Sequence, residues 1–339
     1  MKAIVLNKIG NIEELHQNLI IQKLDNLSAG ADEVIIKVQF AALNHRDLWI
    51  ARGQYANIKL PIILGSDASG TIEEIGTDVK DFKPRDEVII NPSFNWGENE
   101  DFRNKSFKIL GLPDNGTLTE FIKVPSKYVY KKPAHLTLSE ASALPLAGLT
   151  AYRAVRKKAN IKKDENALIT GIGGGVSTFA MIFSLALGAN MYVTSGSEKK
   201  IEAAKKLGAK EGFDYKNEKW DEELLKKLST GIDTAIDGTG GSTISKILNV
   251  VKEGGRIVSY GATLGAVQNF EIRKLFWKQL TFSGTTMGSD RDFRDMLNFI
   301  NEYKIKPVID KIFEFKDYVN AFIRMNNSEQ FGKIIIRIE

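Results

Sequence analysis

Cysteine is absent from the sequence: none of its 339 residues is a cysteine. A chain without thiols cannot form disulfide bonds, use a thiolate nucleophile or bind zinc through thiolates. Histidine is scarce as well, with three in the chain. Two of them, His16 and His135, stand among polar and loop residues, and we expect both on the surface.

Long hydrophobic runs are also missing. The longest, Val176 to Gly188, is interrupted by Ser177, Thr178 and Ser184, and it is shorter than the roughly 20 residues that a membrane-spanning helix needs. The apolar stretch at the start, Met1 to Leu6, is too short for the core of a signal peptide. We therefore expect a cytoplasmic protein that does not enter a membrane.

A large excess of one charge is the third absence: 47 Lys and Arg face 42 Asp and Glu, a net charge of +5. The two signs are interleaved, and we find no basic cluster typical of a protein that binds nucleic acid. The composition, 43% hydrophobic and 26% charged, is that of a globular protein. At roughly 150 residues per domain, the length predicts two domains.

The first part of the chain, to about residue 133, consists of short β-rich runs broken by turn residues. Examples of these runs are Glu33 to Leu43, Ala68 to Gly76, Asp86 to Asn91 and Gly116 to Val124. This pattern predicts a small, mostly antiparallel barrel or sandwich. Residues 92–115 follow no clear period, and we expect an irregular lobe there.

From about residue 146 the pattern becomes strand, turn and helix, repeated. The predicted strands are Ala167 to Thr170, Met191 to Thr194, Thr234 to Asp237, Arg256 to Tyr260 and Leu280 to Thr285, with helices that start at Val176, Glu198 and near Ser242. Such alternation predicts a doubly wound parallel sheet of about six strands. A helix opening at Ser289 and a final strand from Lys333 to Ile338 follow, and we expect this tail to rejoin the first domain.

A glycine-rich turn follows the first of these parallel strands and precedes an apolar helix. Its glycines are Gly171, Gly173, Gly174 and Gly175. Glycines let the backbone approach a pyrophosphate, whose charge is stabilised by the N–H groups at a helix N-terminus. The spacing departs from the usual pattern, because Val176 or Ser177 stands where the third glycine would be. We predict a dinucleotide-binding loop, and the alternative is a tight turn that needs positive φ angles.

The end of the next strand indicates which dinucleotide is bound, since a carboxylate there accepts bonds from the ribose hydroxyls and repels a 2′-phosphate. Here Ser195 and Ser197 are small and uncharged, and Lys199 and Lys200 follow at the start of a helix. Lysines at a helix N-terminus oppose the dipole and gain most from a nearby phosphate. We predict NADP rather than NAD. The neighbouring Glu198 argues against this choice, and an ordinary solvated helix end is the alternative.

Four stretches together resemble the medium-chain dehydrogenase/reductase superfamily over essentially the whole chain. They are residues 42–47 (ALNHRD), residues 64–70 (LGSDASG), residues 143–152 (ALPLAGLTAY) and the glycine loop. Within the superfamily the chain is similar to zinc-independent quinone oxidoreductases and to proteins called zinc-type alcohol dehydrogenase-like. The resemblance implies an α/β protein with a β-rich GroES-like catalytic domain, residues 1–146 and 286–339, and a Rossmann dinucleotide-binding domain, residues 147–285.

The resemblance also implies where a catalytic zinc would lie. Zinc-dependent relatives place its ligands at the positions of Asn44, Ser66 and Leu146. An amide, a hydroxyl and a leucine are not the nitrogen and sulfur ligands that zinc prefers. The four cysteines of a structural zinc lobe likewise have no counterpart in residues 92–115. We therefore expect no metal.

Substrate and cofactor residues are implied in the same way. Asn44 and Asp47 match an Asn-x-x-Asp pair beside the substrate and the nicotinamide, and Tyr55 matches a pocket tyrosine that donates to a carbonyl oxygen. Trp49 stands where relatives often have another tyrosine, and an indole N–H donates but cannot relay a proton, so solvent is the expected proton source. Without the resemblance, Tyr55 is an exposed loop aromatic and Asn44 a turn or strand-edge amide that bonds its own backbone. The residues implied at the nicotinamide and the rest of the nucleotide are Thr150, Gly173, Gly174, Gly175, Val176, Tyr215 and Gly261.

Without a metal to polarise an alcohol, the expected chemistry is hydride delivery from NADPH to an activated acceptor, a quinone or an α,β-unsaturated carbonyl. The sequence leaves open reduction of an enoyl thioester, interconversion of an alcohol and an aldehyde, and a non-catalytic NADP(H)-binding sensor. A methyltransferase would share the glycine turn but not the β-rich first half.

Apolar residues near the end of the nucleotide domain lead into a strand that we expect at the edge of the sheet. They are Leu275, Phe276, Trp277, Leu280 and Phe282. An edge strand with such neighbours favours pairing with a second copy, and the resembling family associates in this way. We expect a homodimer or homotetramer, and the alternative is an edge covered by the chain's own tail.

Overall fold

The computed structural model describes residues 1–338. Its strands, in chain order, are β1 (Lys2–Leu6), β2 (Leu19–Lys23), β3 (Glu33–Ala42), β4 (Ile62–Ile63), β5 (Asp67–Ile75), β6 (Glu87–Ile90), β7 (Ser93–Phe94), β8 (Lys108–Ile109), β9 (Phe121–Pro125), β10 (Val129–Lys131), β11 (Asn166–Ile169), β12 (Asn190–Ser195), β13 (Glu211–Asp214), β14 (Ile232–Asp237), β15 (Val251–Ser259), β16 (Thr281–Gly284), β17 (Ile309–Glu314) and β18 (Lys333–Arg337). Its α-helices are α1 (Leu15–Asn18), α2 (His45–Ala51), α3 (Leu138–Ser142), α4 (Pro145–Tyr152), α5 (Gly175–Ala186), α6 (Glu198–Lys206), α7 (Trp220–Lys227), α8 (Thr243–Val250), α9 (Ile272–Trp277), α10 (Asp290–Glu302) and α11 (Tyr318–Asn326).

The chain divides into two compact units. The first consists of Met1–Leu149 and Gly288–Glu339, and the second of Thr150–Met287. The sequence pattern places the two boundaries near 146 and 286. No helix among residues 1–338 combines the length and the apolar composition that crossing a lipid bilayer requires.

The first unit is built on mostly antiparallel sheets, as predicted. One sheet has the strand order β2-β1-β4, and the larger has the order β10-β6-β5-β3-β18-β17 with β9 also paired to β3. Strand β3 is central because it pairs with β5, β9 and β18. Its residues Val34, Ile36 and Val38 are at most 1% exposed and face the main core of the unit. The last strand, β18, pairs with β3, so the tail rejoins this unit as expected.

Several strands of this unit differ from the prediction; β2 and β10, for example, lie outside the predicted runs. Of the strand predicted from Gly116 to Val124, only residues 121–124 lie in a strand, β9. Gly116 and Leu118 instead donate their backbone N–H groups to the carbonyl oxygens of Ile63 (2.7 Å) and Leu64 (3.0 Å). A Cβ atom on Gly116 would lie 2.0 Å from the carbonyl oxygen of Gly65. The pattern also does not predict β17, in which apolar alternation is interrupted where the pairing with β18 shifts register between Ile309 and Lys311.

The two histidines predicted at the surface and the lobe predicted over residues 92–115 all lie in this unit. His16 is exposed, but His135 is half-buried, and its Nε2 lies 3.0 Å from the carbonyl oxygen of Ile305. His135 is therefore only partly exposed. Residues 92–115 contain the two-residue strands β7 and β8 around Trp96, which is 3% exposed and contacts Phe107 edge-on at 5.5 Å.

The second unit is a doubly wound α/β sheet, as predicted. Its six parallel strands lie in the order β13-β12-β11-β14-β15-β16. The central strands β11 and β14 are buried on both faces, as is usual in a parallel sheet: Leu168, Ile169, Ala235 and Ile236 are all 0% exposed. The edge strand β13 buries only Phe213, so its sequence carries too little pattern to predict it.

Candidate active site

The loop between β3 and α2 places the predicted Asn44–Asp47 pair. Asn44 caps the N-terminus of α2. Asp47 is 0% exposed and accepts the backbone N–H groups of Asn44 (2.8 Å) and Gly65 (3.1 Å), one on each carboxylate oxygen. Burial raises the pKa of Asp47, while the Arg46 guanidinium and the two backbone N–H groups act in the opposite direction. Asp47 therefore joins the start of α2 to the loop that precedes β5.

Asn44 belongs to a buried polar cluster with Asp67 and Lys333. Asn44 Nδ2 donates to Asp67 Oδ2 (2.9 Å), and Lys333 Nζ donates to Asn44 Oδ1 (2.7 Å) and to the same aspartate oxygen (2.9 Å). Asp67 Oδ1 accepts the backbone N–H of Leu146 (2.8 Å). Segments that lie far apart in the sequence therefore meet at the Asn44 amide.

A second polar cluster surrounds Ser66. Arg46 Nη1 donates to Ser66 Oγ (2.8 Å) and to the carbonyl oxygen of Leu110 (2.9 Å), and the Ser66 hydroxyl donates to the same carbonyl (2.7 Å). Arg46 is 6% exposed. Its guanidinium carbon also lies 5.3 Å from the centre of the Tyr55 ring, close enough for a cation–π interaction. Arg46 thus connects Tyr55 to the segment that carries Asn44.

The two aromatic residues predicted at the substrate are both half-buried. Tyr55 packs against the main core of the first unit. Trp49 lies in α2, and its ring centre is 5.9 Å from that of His45 at an interplanar angle of 49°. Each ring is therefore held by a neighbour on or beside α2, and neither is a freely exposed loop aromatic.

The glycine loop of the second unit joins β11 to α5. Gly171 and Gly173 have positive φ angles of 61° and 124°, which a residue with a side chain rarely adopts. Ser177 closes the loop, because its hydroxyl donates to the carbonyl oxygens of Gly171 (3.1 Å) and Gly174 (2.9 Å). Helix α5 begins at Gly175, one residue before Val176, and the first N–H groups of a helix have no partner within it. The loop can therefore hold a pyrophosphate.

The predicted cofactor-selecting residues surround the end of β12. Ser195 is 3% exposed, its Oγ accepts the backbone N–H of Ser197 (3.2 Å), and Ser197 occupies the N-cap position of α6. The ring of Tyr215 lies over Gly196, where a Cβ atom would be 2.8 Å from the tyrosine hydroxyl and 2.9 Å from Lys216 Cε. Lys199 is exposed, and Lys200 is half-buried in the first turn of α6.

Sequence reasoning misses three polar residues near this nucleotide loop. Lys216 lies beside Gly196 but follows a strand that the pattern does not reveal. Asp237, at the end of β14, is 0% exposed and accepts hydrogen bonds from Thr170 Oγ1 (2.5 Å) and Thr239 Oγ1 (2.6 Å). Burial and the Asp237 carboxylate raise the pKa of Tyr260, whose hydroxyl is bonded to Ser177. A sequence signal that could have found Asp237 is its place at the end of a predicted parallel strand.

The remaining predicted residues of the second unit are Thr150 and Gly261. Thr150 is 6% exposed, and its hydroxyl lies 3.8 Å from the sulfur of Met287. Gly261 follows β15 and packs against Gly238, whose carbonyl oxygen would be 2.9 Å from a Cβ atom on Gly261. This close approach explains a glycine at that position.

Comparison with known proteins identifies the family. Residues 30–134 match the family model described as the alcohol dehydrogenase GroES-like domain, and residues 175–302 match the model described as zinc-binding dehydrogenase. A zinc-type alcohol dehydrogenase-like protein of Leptosphaeria maculans is 36% identical over 345 residues, which cover 96% of each chain. The chain belongs to the medium-chain dehydrogenase/reductase superfamily.

Other members of the superfamily match over the same length. An acryloyl-coenzyme A reductase of Sulfurisphaera tokodaii is 30% identical over 348 residues, 99% of this chain and 100% of the relative. The crystal structure of an NAD-dependent alcohol dehydrogenase superposes with a TM-score of 0.93 at 31% identity and covers 100% of both chains. This medium-chain dehydrogenase/reductase is therefore a pyridine nucleotide-dependent oxidoreductase.

The zinc that many of these family names imply does not fit the donor groups of this superfamily member. At the three positions that the resemblance assigns to zinc ligands, the Asn44 amide is bonded to Lys333 and Asp67, and the Ser66 hydroxyl to Arg46 and a carbonyl. Leu146 offers no side-chain donor atom. Among residues 1–338, no group of three or more His, Asp or Glu side chains is arranged to hold a metal ion. Zinc prefers nitrogen and sulfur ligands, and these positions supply neither a histidine nor a thiolate.

Proposed function

We propose that this protein is an NADPH-dependent reductase that transfers hydride to a quinone or an α,β-unsaturated carbonyl without zinc. The proposal rests on the three positions that the resemblance assigns to zinc ligands. The Asn44 amide and the Ser66 hydroxyl are engaged in hydrogen bonds within the protein, and the third residue is Leu146. A site of neutral donors stabilises a developing negative charge less than a divalent cation does. Quinones and enones delocalise that charge themselves and need less help than a saturated ketone or aldehyde.

The first unit supplies neutral donors for the acceptor oxygen. Asn44 Nδ2 has a second N–H besides the one that Asp67 accepts. The Tyr55 hydroxyl is a second donor, and its ring is held by Arg46 at 5.3 Å. The Trp49 indole N–H is a third, although it cannot relay a proton. Solvent then supplies the proton that completes the reduction, and Thr150 contacts the nicotinamide.

The glycine loop and the end of β12 hold the nucleotide in this proposal. NADPH bound there supplies the hydride. Gly171, Gly173, Gly174, Gly175 and Val176 face the pyrophosphate, and Gly261 lies near the nicotinamide. Ser195, Ser197, Lys199, Lys200 and Tyr215 surround the adenosine 2′-phosphate. Lys216 adds a further positive charge beside Gly196, where a 2′-phosphate gains most from it.

Steady-state kinetics with two nucleotides and a panel of acceptors test this function. We expect NADPH oxidation with 1,4-naphthoquinone or methyl vinyl ketone, slower turnover with NADH, and negligible oxidation of ethanol or 2-propanol. Chelator treatment should leave the quinone rate unchanged, because no step uses a metal. Robust alcohol oxidation, or activity that follows the zinc content of the preparation, would contradict the proposal. Tighter binding of NADH than of NADPH would overturn the cofactor preference alone.

Reduction of an enoyl thioester is the second candidate, favoured by the likeness to an acryloyl-coenzyme A reductase over 99% of this chain. The chemistry is the same conjugate hydride addition, and the acceptor differs only in the group attached to the carbonyl. Acryloyl- and crotonyl-coenzyme A belong in the same panel. A kcat/KM for either thioester at least tenfold above that of every quinone would assign the thioester as the preferred substrate class.

We further propose that the protein is a homodimer, or a tetramer built from dimers, held by the β16 edge of the second unit. Among the described strands β16 pairs only with β15, and Ile272, Phe276 and Trp277 of the adjacent α9 are 55%, 60% and 82% exposed. An edge strand beside an exposed apolar surface favours association with a second copy.

A further inference from the structure

Lys333 is a buried lysine whose three N–H groups are all used. Its ammonium donates to the carbonyl oxygen of Leu43 (2.9 Å), to Asn44 Oδ1 (2.7 Å) and to Asp67 Oδ2 (2.9 Å). Lys333 is 2% exposed and Asp67 is 0% exposed. With no N–H left and almost no accessible surface, the lysine cannot itself reach a substrate.

The lysine and the aspartate together fix which way the Asn44 amide points. Asn44 Oδ1 faces the ammonium, which can only donate, and Nδ2 faces the carboxylate, which can only accept. Rotating the amide by 180° would place its NH2 group against the ammonium and its oxygen against the carboxylate. Both contacts would then be repulsive. The amide orientation is therefore set by chemistry as well as by shape.

This orientation determines what Asn44 can offer a ligand. Nδ2 carries two N–H groups, and Asp67 accepts one of them at 2.9 Å. The oxygen, by contrast, is occupied by the ammonium at 2.7 Å. Asn44 is 7% exposed, so its remaining N–H is the group that it can present. Asn44 is thus a donor, as the oxygen of a carbonyl acceptor requires.

We propose that Lys333, paired with Asp67, is a positioning residue that holds Asn44 as a hydrogen-bond donor toward the acceptor oxygen. This inference rests on the proposed function. The ion pair is neutral overall, so its contribution is to orientation and not to the net charge of the site. A lysine at the start of the final strand, 266 positions after Asp67, thereby sets the geometry of a loop near the start of the chain.

The test is a double-mutant cycle with 1,4-naphthoquinone as acceptor. Lys333→Met alone leaves Asp67 as an unpaired buried charge and can unfold the chain. We therefore combine it with Asp67→Asn, whose side-chain oxygen can still accept the Leu146 N–H. The protein with both changes is called the paired variant. We expect the paired variant to lower kcat/KM by about 10- to 100-fold, chiefly through kcat, with the Kd for NADPH unchanged. In an Asn44→Ala background the same pair of changes should add no more than about threefold. If the paired changes lower kcat/KM by the same factor in the wild-type and Asn44→Ala backgrounds, the inference is overturned, because Lys333 would then act independently of Asn44.

A matched control and a readout without turnover complete the design. Lys132 is a nearly buried lysine of the same unit, bonded to Leu136 and paired with Glu87 at 3.2 Å, and Lys132→Met should leave kcat/KM within about threefold of wild type. In the 15N-labelled protein, the side-chain NH2 signal of Asn44 is the one lost in Asn44→Ala. We expect slow solvent exchange of one of its protons in the wild type and at least tenfold faster exchange in the paired variant. Equal exchange in both proteins would refute the positioning role. A wild type that reduces no quinone, enone or enoyl thioester refutes the proposed function instead, and the exchange measurement still decides the orientation.

Discussion

The apolar surface on α9 and β16 should hold two copies of the chain together, and Trp277→Glu should separate them. Four large side chains of this surface are Ile272, Phe276, Trp277 and Phe282, with exposed fractions of 55%, 60%, 82% and 39%. A single chain would leave these side chains in water beside an unpaired strand edge. Association with the same surface of a second copy would bury these side chains and cover the unpaired strand edge.

The magnitude follows from the exposed area of Trp277. An exposed fraction of 82% corresponds to about 200 Å² of a tryptophan side chain. If half of that area is buried on association, about 25 cal/mol per Å² gives ~2.5 kcal/mol for each copy. A two-fold interface contains the residue twice, so Trp277→Glu should cost ~5 kcal/mol, which is more than 1000-fold in the dimer Kd. Burying the new carboxylate in the interface costs further free energy, which adds to this figure.

Sedimentation velocity or light scattering across micromolar concentrations measures the effect. We expect the wild type to run at twice the chain mass of 37.7 kDa or at a further multiple, and Trp277→Glu to run as a monomer. Leu207→Glu is the matched control, because Leu207 is also an exposed apolar residue of this unit, at 43%, but lies at the end of α6. A monomeric wild type would refute the dimer. An oligomer unchanged by Trp277→Glu would refute its location.

Three further predictions concern the two binding regions. Tyr55→Phe should lower kcat/KM for a quinone by about 10- to 1000-fold with little change in the Kd for NADPH; an unchanged kcat/KM would leave Tyr55 as a packing residue. Lys199→Glu should weaken NADPH binding about tenfold or more relative to NADH, since it reverses a charge beside the phosphate, and an unchanged ratio measured by fluorescence titration would exclude this lysine. Arg46→Met should lower the free energy of unfolding by about 2 to 4 kcal/mol through two lost charge-assisted hydrogen bonds and raise the quinone KM as Tyr55 loses its partner. Denaturant titration checks it, with exposed Arg52→Met as the control, and equal stability of both variants would contradict the bonding described for Arg46.

Strong periodicity predicted the elements of the fold that bury most of their surface. The β-rich run of β3, the buried strands β11 and β14 and the apolar helix α5 all stand where the pattern places them. Among the strands that the pattern missed are β13, a four-residue edge strand with a single buried side chain, and β17, which is interrupted by a shift in pairing. Short edge strands are formed by pairing with a neighbour, and their own residues carry little of that information.

The same distinction separates the site residues that sequence reasoning found from those that it missed. Asn44, Asp47 and Tyr55 lie within twelve residues of one another, so one local motif brings all of them to notice. Lys333 is the first residue of β18, and a lysine is ordinarily expected to face solvent. Lys333 can be buried because Asp67 and two amide oxygens from the β3–α2 loop accept hydrogen bonds from its ammonium. The residues next to Lys333 in the sequence give no sign of these distant partners. A local motif therefore locates the Asn44 amide, but the direction in which that amide points depends on a charge pair formed by distant parts of the chain.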